Sequence, residues 1–466
     1  MTSDPSPLQG QEASPLPVET LPQPGEPGAH MPPHRLVWLL RTIGWCTLLG
    51  FGLAVLLARS WSAGQVSNDF FQDYIAAVRV FQGIPPYVPL RAWPAFSTCM
   101  VPLNFDSHPP FSVLLVLPFG LLPLRPSLET WSFVCLAAYL ASGILLLRTL
   151  GWCRLWGVAL FVSLSALWNP LGVAIGTENF AQVLTFLLVL AWHLERTGKQ
   201  RWAGIVLGGA ALIKIWPIIL FLPALKERRW NSILSGSVTM LGGTLMTLPI
   251  LGLAAYTAYL GPVRLEETPA VPYEVNVSLP GAVARLWTGY SDPAVVTFPP
   301  LLSGLTTADA VLLGEGVAAL LMLAACYLVV WVLRRAKGET VLALCLGFLV
   351  TVSFVCFPIT WNWGVITFLL PLATLMVALR SLPRPSWWWF VLAGVGIVVI
   401  WYPLWLPLIL VRLWPDFGAL LFGLPSCGLL LFAGSQALLL YQTSKDQEKT
   451  RCLASSNTSA SLSPSS

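Results

Sequence analysis

The chain is 466 residues long, 56% hydrophobic and only 10% charged, against about 25% charged in an ordinary soluble domain, so a soluble globule of this composition could not cover its surface. Apolar runs of roughly 15 to 24 residues, separated by short polar or basic breaks, have the spacing of helices that cross a ~30 Å hydrocarbon layer and predict an all-α polytopic membrane protein. That excludes a Rossmann enzyme, a nucleic-acid binder and a disulfide-stapled secreted domain; the net charge of +5 is a matter of loop charges, and the nine cysteines, with no CxxC pair, read as buried apolar residues.

Residues 1–34, crowded with Pro, Gly, Gln and Glu, are expected to form a disordered cytoplasmic tail. Arg35 and Arg41 precede the apolar stretch Thr42–Ala58, which reads as an uncleaved signal anchor with its basic flank in the cytoplasm. The segment 59–110 then lies outside the membrane. Within it, Ser67–Tyr87 predicts a short interfacial helix, capped by Ser67 or Asn68, ended by Gly83 and prevented from continuing by Pro85-Pro86.

Further spans are expected near 111–124, 128–147, 155–169, 179–195, 203–224, 231–254, 310–333, 339–356, 364–380, 386–410 and 416–441, about twelve with the anchor. Asn169-Pro170, Gly172 and Gly176 break the region 155–195, which is either two full spans or two short re-entrant helices. A second long outside loop falls at about 255–309, the membrane domain is expected over 35–442, and 443–466 form a second cytoplasmic tail. Alternation from a cytoplasmic N-terminus puts Arg125, Lys226/Arg228/Arg229, Arg334/Arg335/Lys337 and Arg380 inside, with the basic loop 196–201 on the outer side against the trend.

Long loops on one face of a bundle usually carry function, and ionisable groups inside spans are retained only where they face protein or a wet cavity. Asp69 and Asp73 stand i, i+4 on one face of the predicted interfacial helix, where mutual repulsion and partial burial raise at least one pKa, as suits a general base; the plainer reading is that Asp69 favours the helix N-terminus through the dipole. His108, directly before Pro109-Pro110, is the one histidine expected outside, and a lone loop histidine is ordinarily just solvated. Glu178-Asn179 could simply cap the helix that follows. Asn276-Val277-Ser278 matches a glycosylation sequon, a three-residue pattern too common to weigh much. Lys214 stands midway along the run Trp202–Leu222, too deep to snorkel, and so needs an internal partner. Two partners fit: the carbonyl freed by Pro217 in a kinked helix, or a lipid-linked phosphate.

These segments resemble glycosyltransferase family 87, the polyprenol-phosphate-mannose-dependent mannosyltransferases of the C-type membrane glycosyltransferase fold. The resemblance runs over most of 65–365: Asp69-Phe70…Tyr74…Ala76-Ala77…Gly83…Pro86-Tyr87, then His108-Pro109-Pro110-Phe111…Leu121-Leu122-Pro123 and Gly176-x-x-Asn179. It continues with Ala211-Leu212-x-Lys214-x-x-Pro217, Asn276-x-Ser278-Leu279-x-Gly281 and Pro358-Ile359-x-Trp361. It implies that Asp69 is the catalytic base, with Asp73 beside it, in inverting transfer of a hexose, mannose, from a polyprenyl-phosphate donor to a lipid or glycan acceptor at the extracytoplasmic face of the cell membrane. Donor and acceptor binding then falls to Tyr74, His108, Glu178, Asn179, Lys214, Asn276, Ser278, Trp361 and Asn362, with Asn276 and Ser278 lining the cleft. Partners are the donor, the acceptor and membrane lipids, and no nucleic acid.

No metal cluster is visible, and a lipid monophosphate leaving group does not in principle require a divalent ion, so no metal or cofactor is expected. The chain departs from the family pattern where histidines usually follow the tryptophan near 361, since here Asn362, Trp363 and Gly364 stand, and Glu178 takes a place where glutamine is common. A catalytically silent member and a polytopic transporter are the alternatives. The absence of a repeat between halves and the few paired intramembrane charges speak against a carrier.

Overall fold

The computed structural model describes residues 33–63, 69–87, 108–263, 268, 271–292, 296–381, 387–400 and 405–460. The expected N-terminal tail to residue 32 and the proposed caps Ser67 and Asn68 lie outside them. The chain divides into two compact units, Met1–Gly44 and Trp45–Ser466. Of the first, only the start of helix α1 (Pro33–Ala63) is described; all that follows concerns the second.

Seven helices are long and apolar enough to cross a membrane, and a bent pair makes an eighth. Their outward faces are apolar, as at Val238 and Leu241 or Leu320 and Leu323, each more than 60% exposed, a surface suited to lipid and not to water. The protein is therefore an all-α multi-pass membrane protein.

Side-chain contacts fix which helix ends share a face of the bundle. Helix α4 (Leu124–Thr149) ends where α7 (Ala181–Arg196) ends, with Thr149 Oγ1 3.1 Å from His193 Nδ1. Arg229 meets Glu195 at 3.5 Å, Arg380 donates to the Leu150 carbonyl at 2.8 Å, and the Lys337 amide donates to Gln447 Oε1 at 3.0 Å. This one end gathers Arg148, Arg154, Arg196, Lys199, Arg201, Lys226, Arg228, Arg229, Arg334, Arg335, Lys337 and Arg380. Arg125, by contrast, sits at the opposite end, at the start of α4.

Two expected spans do not cross. Residues 110–121 form α3 (Pro110–Val116) and a 3-10 turn (Leu117–Leu121) that lie along α2 (Asp69–Phe81), where the Tyr74 hydroxyl donates to the Leu122 carbonyl at 2.9 Å. Residues 200–226 form a re-entrant hairpin: α8 (Gln200–Ile213) goes in, a 3-10 turn (Trp216–Leu220) follows, and α9 (Phe221–Lys226) returns to the basic end. The proof is the direction of α10 (Trp230–Ala258), which runs parallel to α8. A Cβ on Gly204 would stand 2.0 Å from the Ser232 carbonyl oxygen, one on Gly208 2.6 Å from that of Gly236, and one on Gly243 2.3 Å from Leu212. Parallel neighbours start from the same end, so the chain must come back between them. Small residues permit this close approach, as is usual between membrane helices.

Helices α5 (Leu155–Leu167) and α6 (Asn169–Thr177) form one crossing bent by 70° at Trp168-Asn169. Proline at the second position of α6 starts a new helix and cannot continue the old one. Helix α7 crosses back. The short apolar helix α15 covers Trp387–Ile400, and the loop 196–201, expected on the wrong side for its charge, joins the other basic loops.

After α10 the second long loop carries α11 (Leu279–Thr288) and a two-stranded hairpin, β1 (Tyr290–Asp292) against β2 (Val296–Phe298), antiparallel with Ser291 opposite Thr297. Arg285, fully buried, locks it: Nη1 donates to the Tyr273 and Asn276 carbonyls at 2.7 and 2.9 Å, and Nη2 to that of Phe422 at 3.1 Å. Burial lowers its pKa to about 10, opposed by the charge of Glu274. Helices α12 (Thr307–Arg335), α13 (Glu339–Cys356) and α14 (Leu369–Ser381) complete the core with α16 (Trp405–Leu413), α17 (Gly418–Leu421) and α18. Helix α18 runs Leu424–Ala460 and so continues through most of the stretch expected to be a tail. Among the cysteines whose side chains are described, Cys135 and Cys345 are buried as expected, whereas Cys46, Cys153 and Cys427 are exposed.

Candidate active site

At the end of the bundle away from the basic cluster, a cleft opens between α2, the 108–109 segment, the start of α7, the hairpin tip and the stretch 354–367. Asp69 is the first residue of α2, and Gly83 at φ +70° follows the helix end, as the sequence predicts. The carboxylate faces the cleft and accepts from Trp363 Nε1 at 3.1 Å. One turn on, Asp73 is buried and turned toward His108, whose Nδ1 lies 3.0 Å from both carboxylate oxygens. The histidine is not solvated: it is buried, its backbone carbonyl accepts from the Tyr87 hydroxyl at 2.6 Å, and its ring packs edge-on to Phe180 at 5.1 Å.

Both carboxyls sit above the usual carboxylate range. At Asp69 burial is the largest cause, opposed by the charges of His108 and Lys214 and by the Trp363 and Asn179 donors. At Asp73 burial is joined by the charge of Asp69 and opposed by Lys214. The i, i+4 spacing thus has the repulsive effect expected of it.

Lys214 is not in mid-helix. It ends α8 in extended conformation, φ −138° and ψ 134°, at the hairpin tip, and lines the cleft with Trp216. Pro217 belongs to the following 3-10 turn, and the Lys214 amide already closes the helix on the Ala210 carbonyl at 3.0 Å. The apolar run folds back at this residue, so Lys214 does not stand midway along a single helix as expected.

Asn179 lines the cleft just ahead of α7, its Oδ1 accepting from the Ala181 amide at 2.6 Å. Glu178 is buried in left-handed conformation, φ 52°, and its carbonyl accepts from Trp131 Nε1 at 2.8 Å; its side chain is not on the cleft wall. The bent α5–α6 crossing brings this segment to the cleft end, where the simple alternation of spans left it on the other.

Asn276 and Ser278 do not line the cleft, contrary to expectation; they stand behind its wall. Both amide protons of Asn276 are used, on the Val271 and Pro358 carbonyls at 2.7 and 2.9 Å, while Oδ1 accepts from the Ser278 and Thr360 amides at 3.1 and 2.9 Å. Ser278 Oγ donates to the Pro358 carbonyl at 2.9 Å and caps α11 by accepting from the Gly281 amide at 3.0 Å. A buried amide so fully engaged is a clamp, and its sequon is inaccessible in the folded chain. Asn362 and Tyr74 also lie off the wall.

The cleft thus joins Asp69, His108, Asn179, Lys214 and Trp361 of the expected residues, with Asp73 acting through His108. Sequence reasoning missed Gln72, Trp216, Tyr259 and Trp363. Gln72 was findable, since i+3 from Asp69 shares its helix face. Among the described residues no group of three His, Cys, Asp or Glu comes together to hold a metal ion.

The model of glycosyltransferase family 87 matches residues 107–358, more than half of the chain and the walls of the cleft from His108 to Pro358. The chain belongs to glycosyltransferase family 87. Asp69 and Trp363 lie outside the matched residues, yet the fold carries both to the family's cleft. A polyprenol-phosphate-mannose-dependent alpha-(1-2)-phosphatidylinositol pentamannoside mannosyltransferase of Mycolicibacterium smegmatis is 25% identical over 310 residues, 64% of this chain and 68% of that protein. An alpha-(1->3)-arabinofuranosyltransferase of Corynebacterium glutamicum is 30% identical over 188 residues, 38% of this chain and 41% of the relative. A Mycobacterium tuberculosis protein of the same description is 28% identical over 198 residues, 40% of this chain and 42% of its own length. No solved structure matches the chain.

Proposed function

We propose that this family 87 glycosyltransferase moves a hexose, mannose, from a polyprenyl-phosphate donor to a lipid or glycan acceptor at the extracytoplasmic face, with inversion and with Asp69 as general base. The observation that carries the reading is a carboxylate with a raised pKa and a lysine lining one cleft at the end of the bundle opposite the basic loops. Basic loops mark the cytoplasmic side, which turns the cleft outward.

The acceptor hydroxyl gives its proton to Asp69 as its oxygen bonds to the anomeric carbon. The bond from that carbon to the phosphate oxygen breaks, its electron pair leaves on the lipid phosphate, and the Lys214 ammonium meets the charge. Asp73 and His108 share a proton behind Asp69 and hold the histidine at the cleft wall. The mannose donor is inferred from the Mycolicibacterium relative, a polyprenol-phosphate-mannose-dependent enzyme, and the arabinofuranosyltransferases make a pentofuranose the second reading.

The test is purified protein supplied with labelled polyprenyl-phosphate mannose or polyprenyl-phosphate arabinofuranose. Label moved from the mannosyl lipid to an added mannoside glycolipid is the expected result. Transfer from the arabinosyl lipid alone would replace mannose by arabinofuranose. Label that crosses a sealed vesicle with its phosphate bond intact would overturn transfer in favour of carriage.

A further inference from the structure

One wall of the cleft has no task in the chemistry above. Trp361 and Trp363 both line it, stacked on each other with ring centres 5.5 Å apart and planes 23° from parallel, and each is only half-buried. Neither indole is loosely held. Trp361 forms a backbone bridge with the clamp residue Asn276 and packs against Tyr273 at 6.4 Å, while Trp363 is pinned through its N–H to Asp69. A platform with its backbone tied to the clamp and its rings packed on Tyr273 and on each other is the arrangement that positions a ligand well.

We propose that the Trp361–Trp363 pair is the acceptor subsite, a stacking surface for the C–H face of a sugar ring, so that the acceptor is a glycan or a glycolipid headgroup and not a simple lipid alcohol. This rests on the transferase reading given above and names its second substrate.

Three features favour a sugar. Indole faces carry negative quadrupole charge, and the polarised C–H bonds on one face of a pyranose present the positive edge such a face attracts. The platform is contiguous with the base, since the indole that carries it also touches the Asp69 carboxylate at 3.1 Å, so a ring stacked there holds its hydroxyls beside the proton acceptor. The cation, Lys214, is on the hairpin wall, which leaves the tryptophan wall to the substrate that brings the hydroxyl. The same cleft offers Gln72 and Asn179 for polar contacts, the mixture of apolar surface and few polar groups typical of a small-ligand site.

The roles of the two indoles separate by substitution. Trp361→Leu keeps apolar bulk and removes a stacking face, and should raise acceptor KM more than tenfold with donor KM within twofold. Trp363→Phe keeps a face and removes the N–H, and should leave acceptor KM within threefold, lower kcat and move the acid limb of the rate to higher pH, because a donor that favours the ionised carboxylate has gone.

Binding is read apart from turnover by saturation-transfer NMR on the full-length protein with methyl α-mannoside as probe. Saturation of the aromatic protons should reach the protons of one face of the mannoside ring and fall at least fivefold in Trp361→Leu. Uniform saturation of the ring, or a signal unchanged in Trp361→Leu, would overturn the subsite. So would a rise in donor KM alone, which would give the platform to the isoprenoid chain. Face-selective binding without sugar transfer would sink the transferase reading and leave the subsite standing.

Discussion

Two walls of the cleft deliver their charges in different ways. On α2 the carboxylates ride a helix face, and Phe70 through Ala77 are buried around them, so the backbone itself fixes Asp69 one turn from Asp73. On the α8–α9 hairpin, Lys214 leaves the helix and stands at a tip, and its place depends on how far the stem goes in. That depth is set further down the stem, at Gly204 and Gly208 of the same helix and at Gly236 across from them, where a Cβ would collide with neighbouring atoms. A face-borne charge is thus robust to packing changes elsewhere, whereas a tip-borne charge inherits every change in its stem.

The comparison breaks outright if the hairpin is a span. Single cysteines at Arg201 and Lys226 should both resist an impermeant thiol reagent applied outside intact cells, while one at Leu302, in the second long loop, should react. Labelling at Arg201 without labelling at Lys226 would restore a crossing helix. The next effect is chemical. Asp69→Asn should lower turnover about 10²–10⁴-fold, the range for loss of a general base, with melting temperature unchanged. Asp73→Asn should cost less, because that group works through His108; wild-type turnover in Asp69→Asn beside a dead Asp73→Asn would exchange their roles.

Stem dependence has its own test. Gly208→Leu should reduce donor affinity without touching Lys214, by pushing the tip out of register, and an unchanged donor KM would detach the tip from the stem. The clamp behind the tryptophan wall predicts a smaller loss: Asn276→Ala leaves two amides and two carbonyls to find other partners, about 1–3 kcal/mol of stability read by thermal melting. The smallest effect is in pH. Since Asp69 must be ionised to accept a proton and its pKa lies above the ordinary 3.8, kcat/KM should fall as pH drops through a value above that figure. An acid limb at or below 3.8 would mean that the carboxyl is not raised or is not the base.

The α2 wall was legible because its signals are local: i, i+4 aspartates, a glycine in left-handed conformation at its end, and prolines after it. The hairpin was not, because a run of apolar residues long enough to span is also long enough to enter and return, and hydropathy is blind to direction. The clues present were Lys214 followed by Trp216-Pro217, and the basic loop 196–201 on the wrong side of the alternation. The 110–121 stretch misled for the same reason. Pairings between distant segments were out of reach: nothing near His108 announces Asp73 across 35 residues, and nothing near Trp363 announces Asp69 across 294.

The division of labour between the two walls is tested most directly by donor binding in a background where chemistry is stopped. In Asp69→Asn protein, the Kd for polyprenyl-phosphate mannose should match that of the wild type, because the base acts on the acceptor. Adding Lys214→Met should weaken that Kd more than tenfold, about 1.4 kcal/mol, with the melting temperature unchanged. A donor Kd indifferent to Lys214→Met would contradict the account, and would leave the hairpin tip without the phosphate.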